Sequence, residues 1–412
     1  MKTTRSRAAN QALLLLLTLA VFSIISIQIL STHVVRSIQA EPFLFEMRES
    51  LEQTFTRKTI DGGDGISACL IIMDDNHFLI EWLAYHYYYL PLRRLIVAVD
   101  PKARTSPKPI LDRYHSRGLI NITVWDNDHF FPLDVKEKHK HNQPKLHLVR
   151  QEYFILGCLK AFKEENRTWI TTVDADEFIV PNKYANPVYN FTNRQKVYSL
   201  LTEPPNEHWK NVTKNSSTAC HPMIRLTVGT KESSDEVVQQ GIPDRFFNGS
   251  NFLTYRFGWP QPVHGNRKPA KTFLDLSRVP SADLYPNNTN PHRPVQNHCL
   301  YLNAFPTVDL SPFSVYHYTG TFEQFRYRAD GRPKTRELYN QRYFDVTYED
   351  SAKFWLKGFI MEVGLPMAKI LLEGVGELEK IDDNVSLIRT EYKNDVNWDV
   401  GQQSKSVALE ML

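Results

Sequence analysis

Four short apolar runs alternate with segments of helical periodicity: ISACLIIM from Ile66, LIVAVD at 95–100, LINITVWDND at 119–128 and TWITTVDADEFIV from Thr168. Each run meets acidic side chains at or just past its end: Asp74 and Asp75, Asp100, Asp126 and Asp128, Asp174 and Asp176. The alternation predicts an α/β fold, with a mostly parallel, Rossmann-like sheet and helices on both faces. In such sheets ligands bind beyond the carboxyl ends of the strands. One acidic strand end is a solvated terminus; carboxylates at four of them predict a site. Between the runs, DDNHFLIEWLAYHYYYL predicts a helix with Phe78, Leu79, Trp82, Leu83 and His86 on one face. PILDRYHSRG predicts a short helix closed by Gly118, and Leu146 to Glu165 a longer one.

The stretch VDADEF carries the most specific chemistry. Burying a carboxylate costs several kcal/mol unless a partner compensates it. On an extended strand Asp174 and Asp176 share one face and Ala175 takes the other. That pair suits a hard divalent cation, Mn²⁺ or Mg²⁺, which takes one or two carboxylates and leaves its other positions to phosphate oxygens and water.

Downstream, residues 182–312 are rich in Pro, Asn and aromatics, with strand-like pieces MIRLTVG (223–229) and FLTYRFGW (252–259). SVYHYTG (314–320) predicts another strand, and two helices follow near 350–363 and 367–380. The domain so outlined spans 66–380, in halves 66–181 and 182–380, with 381–412 as an exposed tail. KEKHKH (136–141) reads as a solvated loop placed to act as a lid.

Lys2, Arg5 and Arg7 precede an uncharged apolar stretch from Ala12 to Leu30. Its length is close to the ~20 residues that cross a bilayer as a helix, and the basic flank predicts a cytosolic tail (1–11) and a lumenal body. A cleaved signal peptide is the competing reading, but its apolar core is normally only ~7–15 residues. A stem at 31–65 would follow. N-x-S/T sequons at Asn121, Asn166, Asn190, Asn211, Asn215, Asn248, Asn287 and Asn384 fit a lumenal chain. Asn211, Asn215, Asn248 and Asn287 are the expected acceptors, while Asn121, at the start of a strand, is expected to be poorly accessible. Cys69 and Cys158 read as plain core residues; Cys220 and Cys299 lie in polar surroundings, which leaves a bridge between them open. A net charge of +3 gives no argument for nucleic acid.

ACLIIMDDNHFLIEWLAYHYYYLPLRRLIVAVD, RQEYFILGCLKAF and TWITTVDADEFIVP together resemble glycosyltransferase family 92 and related family-2-like transferases of the GT-A fold. The matching positions are Asp74 and Asp75, Glu81-Trp82 with Tyr85-His86, Asp100, Gln151 with Cys158, and Asp174 to Phe178. Asp75 stands where the family usually has Glu. The resemblance implies an enzyme of the Golgi or ER membrane, single-pass and type II. Its donor would be a nucleotide-sugar, UDP-linked, with UDP-galactose the donor pointed to. Its acceptor would be a glycan or glycoconjugate, reached in a metal-dependent, inverting transfer.

The resemblance implies base and ribose contacts for Asp75 and Asp100, with Asp74 beside them, and a metal on Asp174 and Asp176. VYHYTGTFEQFRYRADGR (315–332) is similar to the late histidine segment of GT-A enzymes, which makes His317 the further metal candidate against a packed core histidine. Arg326 and Arg328 are candidates for the diphosphate, or an exposed basic helix face. HGNRKPAK (264–271) adds His264, Lys268 and Lys271 near the acceptor or diphosphate. Glu323, Asp235 and Glu236 are the candidate bases. Glu177 is a ligand, an orienting group or a partner of a base; Glu81-Trp82 and His86 read as structural. Two other classes compete: a catalytically inactive lumenal carbohydrate- or partner-binding protein on the same fold, and a metal-dependent enzyme cleaving phosphodiesters or diphosphates. The intact D-x-D speaks against the first, and the lack of extra His/Asp ligands for a second metal against the other.

Overall fold

Ile66–Ile72 (β1) alternates its side chains between two separate cores. Ile66, Ala68, Leu70 and Ile72 face one, and Cys69 and Ile71 the other. Leu92–Val99 (β2) does the same, with Leu95 and Val97 on the first side and Ile96 and Ala98 on the second. Strands apolar on both faces must be covered on both, as the continuous apolar runs require. The computed structural model describes residues 65–182, 201, 219–261, 271–299, 311–328 and 332–379. The segment 12–30, the stem, the tail 381–412, Asn211, Asn215, His264 and Lys268 lie outside the described residues.

Asn76–Tyr89 (α1) and Lys108–His115 (α2) cover the first face; Asn121–Trp125 (β3) follows, and Gly118, at φ +64°, takes the left-handed turn after α2. Past the short helices Asn127–Phe130 (α3) and Leu133–His139 (α4), Gln143–Glu164 (α5) covers the second face with Phe154, Cys158, Leu159 and Phe162. KEKHKH therefore falls largely within an exposed helix instead of a loop.

TWITTVDADEFIV is not one strand. Trp169–Thr171 (β4) stops, residues 172–176 turn, and Glu177–Pro181 (β5) begins elsewhere in the sheet. The turn is closed by the Asp174 carbonyl, which accepts from the Glu177 amide at 3.0 Å. Cys220–Val228 (β6), Asp235–Gln239 (α6), Leu253–Arg256 (α7), Lys271–Asp275 (β7) and Phe313–Tyr318 (β8) follow. The chain then forms Phe322–Tyr327 (α8), Arg336–Asn340 (α9), Trp355–Val363 (α10) and Leu365–Leu371 (α11). FLTYRFGW, expected as a strand, contains the helix α7.

The strand order is β3-β2-β1-β4-β7-β6-β8-β5. β1, β2, β3 and β4 run parallel, as expected. Beyond β4 the sheet is mixed: β7 is antiparallel to both β4 and β6, β8 is parallel to β6, and β5 is antiparallel to β8. The expectation of a mostly parallel sheet thus holds for the first half only. β4 and β5, neighbours in sequence, are separated by three strands in space, so the D-x-D turn is where the chain crosses the sheet.

α1 is buried nearly all round, not on one face, because α10 packs over its outer side. Gly358 permits that approach, since a Cβ there would overlap the Tyr88 hydroxyl. Cys220 and Cys299 are bridged, Cα atoms 5.2 Å apart. Cys69 and Cys158, expected as plain core residues, are also bridged, Cα atoms 6.2 Å apart, tying β1 to α5 through the second core. Among the described residues no helix is long and apolar enough to cross a membrane.

Candidate active site

Because β1, β2 and β4 run parallel, Asp74 and Asp75, Asp100, and Asp174 and Asp176 emerge at one edge of the sheet. A two-lobed cleft opens there, with cavities of about 700 and 620 Å³. The lobes meet at Asp176, Arg225, His317, Arg328 and Arg332, which line both. β3 does not contribute its acids. Asp126 caps α3 instead, accepting from the Asp128 and His129 amides at 2.9 and 3.1 Å.

The larger lobe is lined by Asp75, Asp100, Lys102, His147 and Arg150, together with Asp174 and Lys271. Asp100 is buried; its Oδ1 accepts from the Lys102 amide at 2.9 Å and its Oδ2 from Arg150 at 2.9 Å. Burial alone would raise its pKa, but His147 and Arg150 outweigh burial and hold the carboxyl below its ordinary range. Asp75 is equally buried and takes the Arg328 guanidinium at 2.9 and 2.6 Å on its Oδ1. There desolvation wins over Arg328, and the pKa is pushed up to about 6. Asp74 does not face the cleft. Its carboxylate accepts from the Arg104 and Thr105 amides and pairs with Arg104 Nε at 2.7 Å, which fixes the loop after β2. Its left-handed backbone, φ 60°, turns it away from the lobe that Asp75 enters.

The D-x-D turn forms the floor. Lys271, with no exposed surface, donates to Asp174 Oδ2 at 3.1 Å and the Thr172 carbonyl at 3.1 Å, and reaches Glu177 Oε2 at 3.0 Å. Burial works against its ammonium, but Asp174 and Glu177 outweigh it and hold the pKa above the ordinary value. Glu177 also takes Arg225 Nε at 2.5 Å, and its Oε2 accepts the Asp174 amide at 2.9 Å. Glu177 is thus the buried brace of the turn. Asp176 Oδ2 stands 3.3 Å from His317 Nε2. Burial opposes its charge, but His317, Arg328 and Arg225 hold its pKa far below the ordinary value. Asp176 Oδ1 and His317 Nδ1 are buried without a hydrogen-bond partner. Among the described residues no three His, Cys, Asp or Glu side chains already converge as a metal site.

α1 fixes this floor from behind. Trp82 Nε1 donates to the Glu177 carbonyl at 3.0 Å, Tyr85 Oη to the Ile179 carbonyl at 2.9 Å, and the Ile179 amide to His86 Nε2 at 3.3 Å. Glu81 accepts from the Leu253 and Thr254 amides at 2.6 and 3.1 Å and caps α7. EW-x-x-YH is therefore structural, with Glu81 tying down a neighbouring loop as expected.

The smaller lobe has no carboxylate but Asp176 among the described residues that line it. Glu323 and Arg326 sit on the exposed side of α8, and Asp235 and Glu236 in the exposed first turn of α6; none lines either lobe. Asn248 and Asn287 are exposed, and so is Asn121, because β3 is an edge strand. Sequence reasoning missed Arg150 and Arg225. The signal for Arg225 was available: an arginine inside the apolar run MIRLTVG needs a buried carboxylate, here Glu177. Arg150 precedes Gln151 on α5 and had no such mark.

No curated protein matches the chain. Residues 67–242, from β1 through the D-x-D turn and β6 to just past α6, match the family model for Glycosyltransferase family 92. With that match on the part of the chain that builds the acidic strand ends, the chain carries a glycosyltransferase family 92 domain and is a glycosyltransferase.

Proposed function

We propose that the cleft transfers a sugar from a UDP-linked nucleotide-sugar, UDP-galactose being the first donor to test, to a hydroxyl of a glycan or glycoconjugate with inversion at the anomeric carbon. The observation that carries this reading is the delivery of Asp75, Asp100 and Asp176 by three parallel strand ends into one cleft. Asp75 and Asp100 suit the hydroxyls and amide of a nucleoside. Arg225 and Arg328 supply positive charge beside Asp176, where a diphosphate would lie between the lobes, and Lys271 adds to it from beside Asp174 in the larger lobe.

The residues also fit a divalent cation, Mn²⁺ or Mg²⁺. Asp176 Oδ1 is a buried acceptor without a partner, beside the His317 imidazole, and Asp174 is close in sequence and shares the floor. Asp176 and His317 would hold the ion, with Asp174 joining them if it shares its contact with Lys271. Bound there, the ion would offset the growing charge of the leaving diphosphate. The chain's own part is to keep Asp176 ionised, to hold the turn rigid through Glu177 and α1, and to present an acceptor hydroxyl from the smaller lobe.

The apolar segment 12–30 and its basic flank support a type II anchor in the Golgi or ER membrane, with Asn211, Asn215, Asn248 and Asn287 as glycan acceptors. The test is nucleotide release from a panel of nucleotide-sugars by the full-length protein in detergent, with and without Mn²⁺. Release from a UDP-sugar that depends on Mn²⁺ is expected; release only from other nucleotides, or equal release in chelator, would remove the donor or the metal from this account.

A further inference from the structure

Among the described residues, Arg225, Arg328, Arg332, Lys334 and Arg342 line the smaller lobe, against the one carboxylate of Asp176. Arg225 and Arg328 are offset by Glu177 and Asp75 and, like Arg332, also line the nucleotide lobe. Lys334 and Arg342 line the smaller lobe alone. They converge on one ring: Lys334 Nζ is 4.7 Å and the Arg342 guanidinium carbon 5.3 Å from the Phe325 centroid. Arg342 also donates to Thr319 Oγ1 at 3.4 Å.

Partial burial, then the charges of Arg332 and Arg225, hold the Arg342 pKa below its ordinary value. Burial is the larger cause and Asp176 offsets part of the rest; the contribution of the two neighbouring cations is what a bound anion relieves. The rest of the lining is of another kind: Thr227, Gln261, Gln324 and Gln341 offer hydroxyl and amide groups, and Phe78 and Phe344 offer rings. Amides, hydroxyls and aromatic faces suit a saccharide; two cations fixed over one ring suit an acidic substituent on it. A donor diphosphate belongs at the junction of the lobes, where Arg225 and Arg328 already stand, whereas Lys334 and Arg342 line only the smaller lobe.

We propose that the smaller lobe takes an anionic saccharide as acceptor, with Lys334 and Arg342 binding its carboxylate or sulfate group. This rests on the reading of the cleft as a nucleotide-sugar transferase site, so the test separates the two. Binding of UDP and of three probes is measured calorimetrically on the full-length protein: tri-galacturonic acid, its carboxyl-reduced trisaccharide and a sulfated galactose trisaccharide. At least one acidic probe should bind about tenfold or more tightly than the neutral one, the order expected of charge-assisted contacts, and added salt should narrow the gap. The carboxylate and sulfate arms then name the anion.

Lys334→Gln and Arg342→Gln, each checked by thermal melting, should abolish the preference while UDP binds as in the wild type. Lys334→Glu covers the case in which the Arg342 variant fails to fold. A neutral probe that binds as tightly as both acidic ones, or a preference that survives in Lys334→Glu, overturns the proposal. Failure of UDP to bind overturns the parent reading, and this one with it.

Discussion

Lys271 Nζ lies 3.1 Å from Asp174 Oδ2 on the floor of the cleft, and it reaches that position from β7 with no exposed surface of its own. The first acid of the D-x-D turn is therefore already matched by a buried cation, and the second, Asp176, is the one with an unsatisfied oxygen. Removing one member of a buried ionic group leaves the others uncompensated. Lys271→Met should lower stability by about 3–5 kcal/mol, because Asp174 and Glu177 lose the buried cation they share, and Glu177 keeps Arg225 and the Asp174 amide. Denaturant midpoints measure this; a loss below about 1 kcal/mol, the scale of a surface pair, would mean that Lys271 is not a structural cation.

Glu81 gives the fold a pH signature. Burial, opposed by its hydrogen bonds to Thr254 and Leu253, pushes its pKa from 4.5 up to about 7. The folded state then holds the proton more tightly than the unfolded chain. The stability this contributes is full below pH 4.5 and is lost as pH rises through about 7. Glu81→Gln should flatten that part of the slope and cost about 1–3 kcal/mol at pH 5, since one oxygen cannot serve all the donors at the start of α7. What slope remains in that window combines Asp75, raised to about 6, with His77, His86 and His221, which burial lowers to about 3 and which act in the opposite direction, being destabilising as the pH falls below 6.5. Thermal melts from pH 4 to 8 test it; an unchanged slope in the variant contradicts it.

Asp100 is both a donor-binding candidate and a partner of buried Arg150. Asp100→Asn should raise the apparent KM for the nucleotide-sugar and, with a charge-assisted bond weakened, cost about 1.5–3 kcal/mol of stability. The sequence resemblance implies a binding role for Asp100; its burial against Arg150 adds a structural one. Its lowered pKa makes the stability it contributes full above the ordinary carboxylate range and removes it as the pH falls below that range, through the lowered folded value. A normal melting temperature in the variant would contradict the structural part, and an unchanged KM the binding part.

Reduction should destabilise the protein strongly. Cys69–Cys158 and Cys220–Cys299 each close a long loop, with sequence separations of 89 and 79. Loss of either bridge should cost about 2–5 kcal/mol. Thiol labelling of the described cysteines without reductant should be negligible, and the melting temperature should fall in dithiothreitol. Free thiols in the native protein would contradict the pairing.

The Cys69 bridge also marks the limit of what the sequence reveals. Periodicity located β1, α1, β2, α2, β3, α5 and β8, because each is a short-range pattern of apolar positions. It could not show that Cys69 on β1 faces Cys158 on α5, since that depends on how α5 packs across the sheet. The acidic strand ends were legible for the same local reason, and so was Asp176. Asp74 was misplaced because its backbone turns left-handed after β1, and the D-x-D stretch was read as one extended strand because nothing local signals that Glu177 starts a new strand at the far edge of the sheet. Lys271, Glu177 and Arg225 meet through β5, β6 and β7, a long-range arrangement that only the folded chain displays.

The central claim is that Asp176 anchors a cation which serves the leaving diphosphate. Turnover against Mn²⁺ concentration, with parallel thermal melts, for wild type and Asp176→Asn tests it most directly. The substitution keeps the shape of the turn and removes one charge, so turnover should fall on the order of 10²-fold or more, as when a single electrostatic contact to the transition state is lost. The metal-free variant should stay folded but melt below the wild type, since it loses the charge that His317, Arg328 and Arg225 hold in place, and the wild type should lose activity in chelator and regain it with Mn²⁺. Near-normal turnover in Asp176→Asn, or full wild-type activity in excess chelator, would contradict the claim.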